Sequence, residues 1–177
     1  TQFVWLARFA LASLNMHLAS LGAVVKAKFR NHDVAVILMK ASVDGDDELE
    51  LAENVARFRQ ECIFMKELKH DNVVMMIGAV WSQDLCCCVL EYCEGGSLAE
   101  KLIASEKVVA GGGGINCELT WETEKLRWCV EIARGMNYLH TCVFLDSDTN
   151  SLKEGVVHRD LKPDNVLVSR SGALKVR

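Results

Sequence analysis

The sequence lacks the cysteine pairing that marks a zinc site. It contains eight cysteines, but none forms a Cys-x-x-Cys pair and no histidine stands at zinc-finger spacing from them. Cys86, Cys87 and Cys88 are consecutive, and adjacent residues of a strand point to opposite faces, so this triplet cannot converge on one metal. We therefore expect reduced cysteines that serve mostly as small buried hydrophobes in an intracellular protein.

An excess of positive charge is also absent. The chain has 20 basic and 24 acidic residues, a net charge of −4. This balance argues against a nucleic-acid partner bound through a broad basic surface. It is compatible with a single anion site, because one or two cations and backbone N–H groups can hold a phosphate.

A clear membrane segment and a signal peptide are missing as well. Residues 9–25 are rather apolar, but Asn15 and His17 interrupt a run whose length is marginal for a bilayer span. Neither a basic start nor a small-residue cleavage site is clear. We expect a cytoplasmic protein. The first residue is Thr1 rather than Met, so we also expect a piece of a longer protein, and the oligomeric state stays open.

The glycine-rich stretch 110–114 lacks the lysine and the serine or threonine that follow the glycines of a P-loop. We interpret it as a flexible insertion and not as a phosphate cradle. No internal repeat is apparent in the chain.

The first half of the chain is predicted to contain strands and one helix. Residues 31–33 are expected to form the turn of a hairpin, and an apolar stripe at helical spacing predicts an amphipathic helix over residues 51–68. The stripe consists of Leu51, Val55, Phe58, Cys62 and Met65. The predicted strands are 24–29, 34–39, 73–80 and 85–90.

The second half is predicted to be mainly helical. Ser97 and Thr120 are expected to be the N-caps of two helices. The second helix is expected to bury Leu126, Cys129, Ile132 or Ala133, Met136 and Leu139. A polar loop over residues 146–154 and a hairpin over residues 166–176 follow. Strands with one helix, then helices, then a small hairpin predict an α+β fold.

One stretch before the last hairpin carries the chemistry. Residues 158–165 read HRDLKPDN. This stretch resembles the catalytic loop of the eukaryotic protein kinases, which has His-Arg-Asp, a lysine two residues after the Asp and an asparagine five residues after it. Lys162 followed by Pro163 resembles the serine/threonine-specific members. The resemblance implies a protein-kinase-like α+β fold, with an antiparallel sheet lobe that holds one helix and the first part of a mainly helical lobe.

The resemblance also implies a domain division and roles for the loop residues. Residues 1–20 are a poorly matched N-terminal segment, residues 21–92 the N-terminal lobe and residues 93–177 the start of the C-terminal lobe. By resemblance, Asp160 orients the substrate hydroxyl and accepts its proton, and Lys162 offsets charge on the phosphoryl group. The remaining implied roles are structural for His158, pairing with a phosphorylated activation loop for Arg159 and Mg²⁺ binding for Asn165.

Other segments resemble the family in register. Glu61 lies in the predicted helix and would pair with the lysine that positions ATP. Residues 90–98 resemble the hinge that contacts adenine, with Leu90 as the gatekeeper. The implied nucleotide-binding residues are Gly22, Val24, Ala35, Ile37, Glu91, Cys93 and Leu167. The implied cofactors are ATP and Mg²⁺, the implied partner is a protein with a Ser or Thr hydroxyl, and residues 119–140 resemble the tyrosine-kinase-like group.

The resemblance fails first in the glycine-rich loop of the family. Gly22 and Val24 fit its last glycine and its valine, but His17 and Ala19 stand at the two earlier glycines. Those glycines let backbone N–H groups approach the phosphates closely. Side chains at these positions are therefore expected to weaken ATP binding.

The resemblance fails again at the lysine and at the end of the chain. Ile37 stands where the family has the lysine that contacts the phosphates, and strand alternation is expected to turn Lys40 to the other face. The chain stops at Arg177, where the Asp-Phe-Gly of the family should begin.

Three hypotheses follow. The leading one is a truncated serine/threonine kinase domain that transfers the ATP γ-phosphoryl group to a protein hydroxyl, with little or no activity in this chain. The alternative is a pseudokinase that acts as a binding module or scaffold. It is favoured by Ile37 and opposed by the intact Asp160, Lys162 and Asn165. A gene model with mis-assigned exons would account for the irregular start and the abrupt end.

Overall fold

The computed structural model describes residues 17–19, 22–39, 48–81, 86–110, 124–146 and 150–177. The chain splits into two compact units, of which the first ends at Tyr92 and the second begins at Cys93, with His70–Val74 belonging to the second. The first unit holds a sheet and a helix, and the second holds helices and small hairpins, which confirms the predicted α+β fold. Lys40, residues 111–114 and the Thr120 cap lie outside the described residues.

The first unit contains a five-stranded antiparallel sheet in the order β1-β2-β3-β5-β4, with β3 at its centre. Its elements are β1 His17–Ala19, β2 Gly22–Phe29, β3 His32–Met39, α1 Glu48–Glu67, β4 Met76–Trp81 and β5 Cys86–Glu91. Phe58 and Cys62 on the predicted stripe of α1 are buried. The helix therefore presents its apolar face to the interior of this unit, as its spacing predicts.

The turn between β2 and β3 is shorter and earlier than predicted. Phe29 pairs with His32, so the turn consists only of Arg30 and Asn31 and not of residues 31–33. Both residues have positive φ, 48° and 68°. Two-residue hairpin turns require this left-handed conformation because it matches the twist of the strands. His32, which was predicted to lie in the turn, is thus the first residue of β3.

β5 is buried on both faces, which explains its run of cysteines. Cys87 packs with Val34 and Val36 in one apolar cluster. Cys88 lies opposite Ile37 in the strand register, and its thiol hydrogen-bonds to the thiol of Cys62. The Cys62 hydrogen bond and burial raise the pKa of the Cys88 thiol far above its ordinary value. None of the seven cysteines in the described ranges forms a disulfide, and four of them are buried, while Cys129 departs from the prediction because it is exposed.

The predicted strand over residues 73–80 is wrong at its start. β4 begins only at Met76. Val73 and Val74 belong to the second unit, where the Val74 N–H donates to the Val176 carbonyl oxygen at 2.8 Å. Both valines are buried there, so one apolar run in the sequence serves two different cores.

The second unit contains helices and two separate hairpins. Its elements are α2 Leu98–Ala110, α3 Leu126–Thr141, β6 Val143–Asp146, β7 Ser151–Glu154, a 3₁₀ helix Pro163–Asn165, β8 Val166–Val168 and β9 Leu174–Val176. One core cluster joins α2, α3 and the last hairpin, and its buried members are Leu98, Trp128, Val166, Val168 and Leu174. The β8–β9 hairpin confirms the prediction for residues 166–176.

The buried face of α3 differs from the prediction. Leu126 is 59% exposed and Cys129 is exposed, whereas Trp128, Gly135 and Leu139 are buried. Two apolar stripes overlap at the start of this helix. The stripe that carries the large Trp128 side chain faces the core because burial of a large aromatic surface contributes more than burial of Cys129.

The predicted loop over residues 146–154 contains part of a hairpin. β6 and β7 pair from Val143 opposite Glu154 to Asp146 opposite Ser151. All four residues of β7 are exposed, so the sequence shows no alternation that would distinguish this strand from a loop.

None of the helices in the described ranges has both the length and the hydropathy of a membrane-spanning segment.

α2 begins with a reciprocal cap. The Glu100 N–H donates to Ser97 Oγ at 3.2 Å, and the Ser97 N–H donates to Glu100 Oε2 at 2.9 Å. This capping box satisfies donors that the first helical turn leaves free. The predicted N-cap at Ser97 is confirmed.

Candidate active site

The β8–β9 hairpin holds the end of the HRDLKPDN loop. Val166 pairs with Val176, and the next pair continues this ladder, since the Arg177 N–H donates to the Asn165 carbonyl oxygen at 2.8 Å. The Asn165 N–H donates to the Lys162 carbonyl oxygen at 2.9 Å within the 3₁₀ helix. These backbone hydrogen bonds therefore fix the position of the end of the loop relative to Arg177.

Asp160 lies between an ammonium and a carboxamide. Its Oδ2 atom is 3.1 Å from Lys162 Nζ and accepts a hydrogen bond from Asn165 Nδ2 at 2.7 Å. These two contacts, Lys162 first, lower the pKa of the Asp160 carboxyl. Half of the Asp160 side chain is exposed, at 51%, so a charged carboxylate is open to a polar ligand from solvent.

His158 makes two hydrogen bonds that fix its tautomer. Its Nε2 lies 2.9 Å from the Arg177 carbonyl oxygen, which can only accept, so Nε2 donates. The Asp160 N–H donates to His158 Nδ1 at 3.3 Å. The His158 ring is thus hydrogen-bonded to the backbone of both Arg177 and Asp160. Arg159, which lies between His158 and Asp160 in the chain, has φ of 65°, a left-handed conformation that is costly for a residue with a side chain.

Asn165 is 7% exposed, and both ends of its carboxamide are used. Its Nδ2 donates to the Asp160 carbonyl oxygen at 2.8 Å as well as to the Asp160 carboxylate. Its Oδ1, the atom expected to bind Mg²⁺, accepts a hydrogen bond from the Arg177 guanidinium at 2.7 Å. A cation already faces this oxygen, so the arrangement does not fit a metal ion there.

Ile37 is a core residue of the first unit. It is 4% exposed and lies opposite Val24 on β2 and Cys88 on β5. Val34 and Val36 belong to the cluster on the other face of β3, as strand alternation predicts. Ile37 therefore supplies a buried apolar side chain at the position predicted to align with the nucleotide-binding lysine.

Glu61 is exposed as a residue, but its carboxyl group is partly desolvated. Burial raises the pKa of this carboxyl, and within the described residues no cation lowers it. Glu61 acts electrostatically on the Cys88 thiol, which lies opposite Ile37. The carboxylate predicted to pair with a lysine thus lies near the position where that lysine is replaced.

The start of the sheet contains the residues aligned with the glycine-rich loop. β1 and β2 form a hairpin in which His17 pairs with Val24 and Ala19 pairs with Gly22. Val24 and Ala35 are half-buried. Val24, Ala35 and Ile37, three of the predicted nucleotide-binding residues, have apolar side chains, which suit a base better than a triphosphate.

The predicted hinge residues fall at the boundary of the two units. The Glu91 N–H donates to the Met75 carbonyl oxygen at 3.0 Å, and the Met75 N–H donates to Glu91 Oε1 at 2.7 Å. Cys93 is 7% exposed and opens the second unit. Leu167 is half-buried and forms a single bridge with Ser97.

The two units each bring part of the predicted site together. The second unit gathers Asp160, Lys162 and Asn165 into one hydrogen-bonded cluster. The first unit places Ile37 and Glu61 around Cys88. The predicted nucleotide-binding residues are divided, with Gly22, Val24, Ala35, Ile37 and Glu91 in the first unit and Cys93 and Leu167 in the second.

Sequence reasoning missed two residues that hold this loop and hairpin. Arg177 contacts Asn165 through backbone and side chain, and counting the hairpin register outward from the turn would have placed the two opposite each other. Asn72 is buried, and its carboxamide donates to the Leu174 carbonyl oxygen at 2.8 Å. No local pattern indicates that contact, because the two residues are 102 positions apart.

Comparison with known proteins identifies the family of the chain. The profile described as "Protein tyrosine and serine/threonine kinase" matches residues 15–177. The chain is 35% identical over 154 residues to serine/threonine-protein kinase VIK of Arabidopsis thaliana, covering 87% of this chain and 29% of that protein. It is 35% identical over 158 residues to serine/threonine-protein kinase CTR1 of Arabidopsis thaliana, covering 89% and 16%.

A mammalian relative shows the same pattern. Mitogen-activated protein kinase kinase kinase 10 of Mus musculus is 31% identical over 147 residues, covering 83% of this chain and 13% of that protein. The chain thus spans less than a third of the length of each of these relatives. With a profile match over residues 15–177 and these serine/threonine kinases as relatives, the chain belongs to the protein kinase family.

Proposed function

We propose that this chain is a protein serine/threonine kinase domain whose own activity is low or absent. The reaction is transfer of the ATP γ-phosphoryl group to a protein Ser or Thr hydroxyl. The observation that carries the proposal is the cluster of Asp160, Lys162 and Asn165, in which an exposed carboxylate is held by an ammonium and a carboxamide. Phosphoryl transfer requires mainly such positioning and charge compensation.

Asp160 would receive the substrate hydroxyl. Its carboxylate is ionised at neutral pH because Lys162 and Asn165 lower its pKa. A carboxylate with a lowered pKa is a weak base. It therefore orients the hydroxyl through a hydrogen bond and does not remove its proton before the reaction begins. The proton would therefore reach Asp160 as the bond from the hydroxyl oxygen to phosphorus forms and the bond to the ADP oxygen breaks.

Lys162 would compensate negative charge at the same place. Its ammonium lies 3.1 Å from Asp160 Oδ2, and half of its side chain is exposed. An exposed lysine on a flexible stem can turn from the carboxylate to an incoming phosphoryl oxygen. The loop residues thus act on the hydroxyl and the phosphoryl group, and they do so without a metal ion at Asn165.

The low activity follows from the first unit. Ile37 is buried among apolar groups and offers no charge to a phosphate. The Glu61 carboxyl has a raised pKa, as expected of a carboxylate without its cation. We propose that loss of the ion pair between Glu61 and a lysine at position 37, together with the side chains of His17 and Ala19, weakens nucleotide binding.

The proposal extends to organisation and setting. Residues 21–92 are assigned to the N-terminal kinase lobe and residues 93–177 to the start of the C-terminal lobe. The cysteines of the described residues form no disulfide, which supports a reducing compartment, and we propose the cytoplasm. The partner is a protein that carries the acceptor hydroxyl.

A pseudokinase that acts as a scaffold is the second candidate. It is favoured by buried Ile37 and by the contact of Arg177 with the oxygen predicted to bind metal. It is opposed by the retained Asp160 cluster, since a scaffold needs no carboxylate open to a hydroxyl.

Phosphoryl transfer from radiolabelled ATP to a serine-containing protein separates the two candidates. We expect little transfer by the native chain, clear transfer by Ile37→Lys, and none by Ile37→Lys combined with Asp160→Ala. Ile37→Met is the matched control, because it changes the side chain but adds no charge. Absence of transfer by a folded Ile37→Lys chain would support the scaffold instead.

A further inference from the structure

The Arg177 guanidinium stands where a divalent cation is expected. It donates to Asn165 Oδ1 at 2.7 Å, the distance of a strong charge-assisted hydrogen bond. The same carboxamide donates through Nδ2 to Asp160 at 2.8 Å and 2.7 Å. Both ends of the carboxamide are therefore engaged.

The backbone fixes this contact from two sides. The Arg177 N–H donates to the Asn165 carbonyl oxygen at 2.8 Å, which extends the β8–β9 ladder by one pair. The Arg177 carbonyl oxygen accepts from His158 Nε2 at 2.9 Å. The guanidinium does not reach Asn165 from a free loop, since the residue that carries it is held at its N–H and its C=O.

The Arg177 guanidinium keeps its positive charge although burial lowers its pKa, a shift that the Asp160 carboxylate opposes. Guanidinium stays protonated in proteins even when it is buried. A divalent cation that approaches Oδ1 would have to displace this hydrogen bond and lie close to a like charge.

We propose that Arg177 is a positioning residue that serves as an internal cation at Asn165 and excludes a divalent cation from its Oδ1. The guanidinium orients the carboxamide so that Nδ2 faces Asp160. The inference rests on the proposed function only in treating residues 158–165 as a catalytic loop. It deepens that function by making the loop independent of a metal ion at Asn165.

Manganese binding tests the inference without nucleotide or activity. Mn²⁺ broadens NMR signals of nearby nuclei, so the side-chain amide signals of Asn165 report its presence at Oδ1. We expect the native chain to need at least about tenfold more Mn²⁺ than Arg177→Ala for equal broadening. Arg170→Ala is the matched control, because Arg170 is 87% exposed and pairs with Glu94. Equal broadening in the native chain and Arg177→Ala would overturn the inference.

Two further variants separate charge from hydrogen bonding. Arg177→Lys keeps the charge and is expected to restore exclusion of Mn²⁺. Arg177→Gln keeps a donor without charge and is expected to behave like Arg177→Ala. Exclusion by Arg177→Gln equal to that of the native chain would refute the internal-cation role. If Arg177→Ala fails to fold, the comparison of Arg177→Lys with Arg177→Gln still decides.

Failure here is distinguishable from failure of the proposed function. Equal Mn²⁺ broadening in every variant would remove the role of Arg177 and leave the transfer assay on Ile37→Lys unaffected. A transfer assay without product would count against the kinase reaction and leave the Mn²⁺ comparison intact.

Discussion

Two carboxylates, one in each unit, lie in opposite electrostatic environments. In the second unit, Asp160 lies beside Lys162, and the pair stabilises the charged carboxylate. In the first unit, burial raises the pKa of Glu61, and no cation among the described residues offsets that effect. One carboxylate is thus stabilised in its charged form and the other is not.

The Asp160 contact predicts an effect of Lys162→Met. Removal of the ammonium deletes the largest cause of the lowered pKa, so the pKa of Asp160 should rise toward its ordinary value. A carboxyl whose folded pKa is depressed contributes stability above the ordinary carboxyl pKa and loses it as pH falls through the folded pKa. The variant should therefore lose stability at neutral pH relative to low pH.

Carbon-detected NMR titration of the Asp160 carboxyl measures this change. Lys101→Met, at an exposed position of α2, is the control for loss of one positive charge. An unchanged Asp160 titration in Lys162→Met would show that the 3.1 Å contact does not persist in solution.

Glu61 predicts the reverse dependence on pH. Burial raises its pKa, so the folded state binds more protons than the unfolded state between the ordinary pKa and the raised one. Stability from this group is greatest below the ordinary pKa and falls as pH rises toward the raised value. Glu61→Gln should therefore gain stability at pH 7 and gain nothing near pH 3, where both states are protonated.

Urea unfolding at the two pH values checks this expectation. Glu53→Gln on the same helix controls for loss of a negative charge at an exposed site. The interpretation of Glu61 is wrong if Glu61→Gln is equally stable relative to the native chain at both pH values.

Among the secondary-structure elements, α3 contains a close approach that only glycine permits. A Cβ at Gly135 would overlap the backbone carbonyl oxygen of Asn72 and press on Val176. Alanine is the better helix former by about 1 kcal/mol. Even so, Gly135→Ala should destabilise the chain by roughly 1–3 kcal/mol, because overpacking against backbone outweighs helix propensity.

Urea denaturation at neutral pH measures the free energy of unfolding of Gly135→Ala. Gly78→Ala on β4 is the matched control, since nothing lies within 4 Å of a Cβ there. A Gly135→Ala chain as stable as the native one would contradict the contact between α3 and the segment at Asn72.

The cap of α2 gives another element-scale prediction. Ser97→Ala removes the oxygen that accepts from the Glu100 N–H and should cost about 1 kcal/mol of stability. Ser97→Asp keeps an acceptor at the same place and should retain most of it. Equal losses in both variants, again from urea unfolding, would show that the cap is not responsible.

The local sequence pattern predicted those elements in which buried residues recur at a regular spacing. The stripe of α1 placed Phe58 and Cys62 inside, and strand alternation separated Ile37 from Val36. The pattern failed where a run served two cores, as at Val73 and Val74, or where no side chain was buried, as in β7. Such features depend on contacts distant in sequence, which no local periodicity records.

The candidate site shows the same division. The resemblance of HRDLKPDN to the kinase catalytic loop predicted that Asp160, Lys162 and Asn165 would act together. It did not predict that Arg177 would occupy the Asn165 oxygen, since that contact depends on a hairpin register and a side-chain conformation. The contacts within the loop could be predicted from the sequence, whereas the partner of the Asn165 side-chain oxygen could not.

The whole molecule consists of two compact units, and each contains some of the residues proposed to act in the kinase reaction. The chain matches the kinase profile over residues 15–177 and covers 13% to 29% of three curated relatives. We expect activity to be limited by the first unit, where the nucleotide is to be held, and not by the loop of the second. Restoring one charge at position 37 should therefore raise the activity, which changes to the loop alone should not do.

Thermal unfolding with and without Mg·ATP, in the native chain and in Ile37→Lys, tests this central claim most directly. We predict no shift of the melting temperature for the native chain or for the control Ile37→Met. Ile37→Lys should rise by about 3–6 °C at an ATP concentration ten times its dissociation constant. Stabilisation of the native chain as large as that of Ile37→Lys, or no stabilisation of either, would contradict the account.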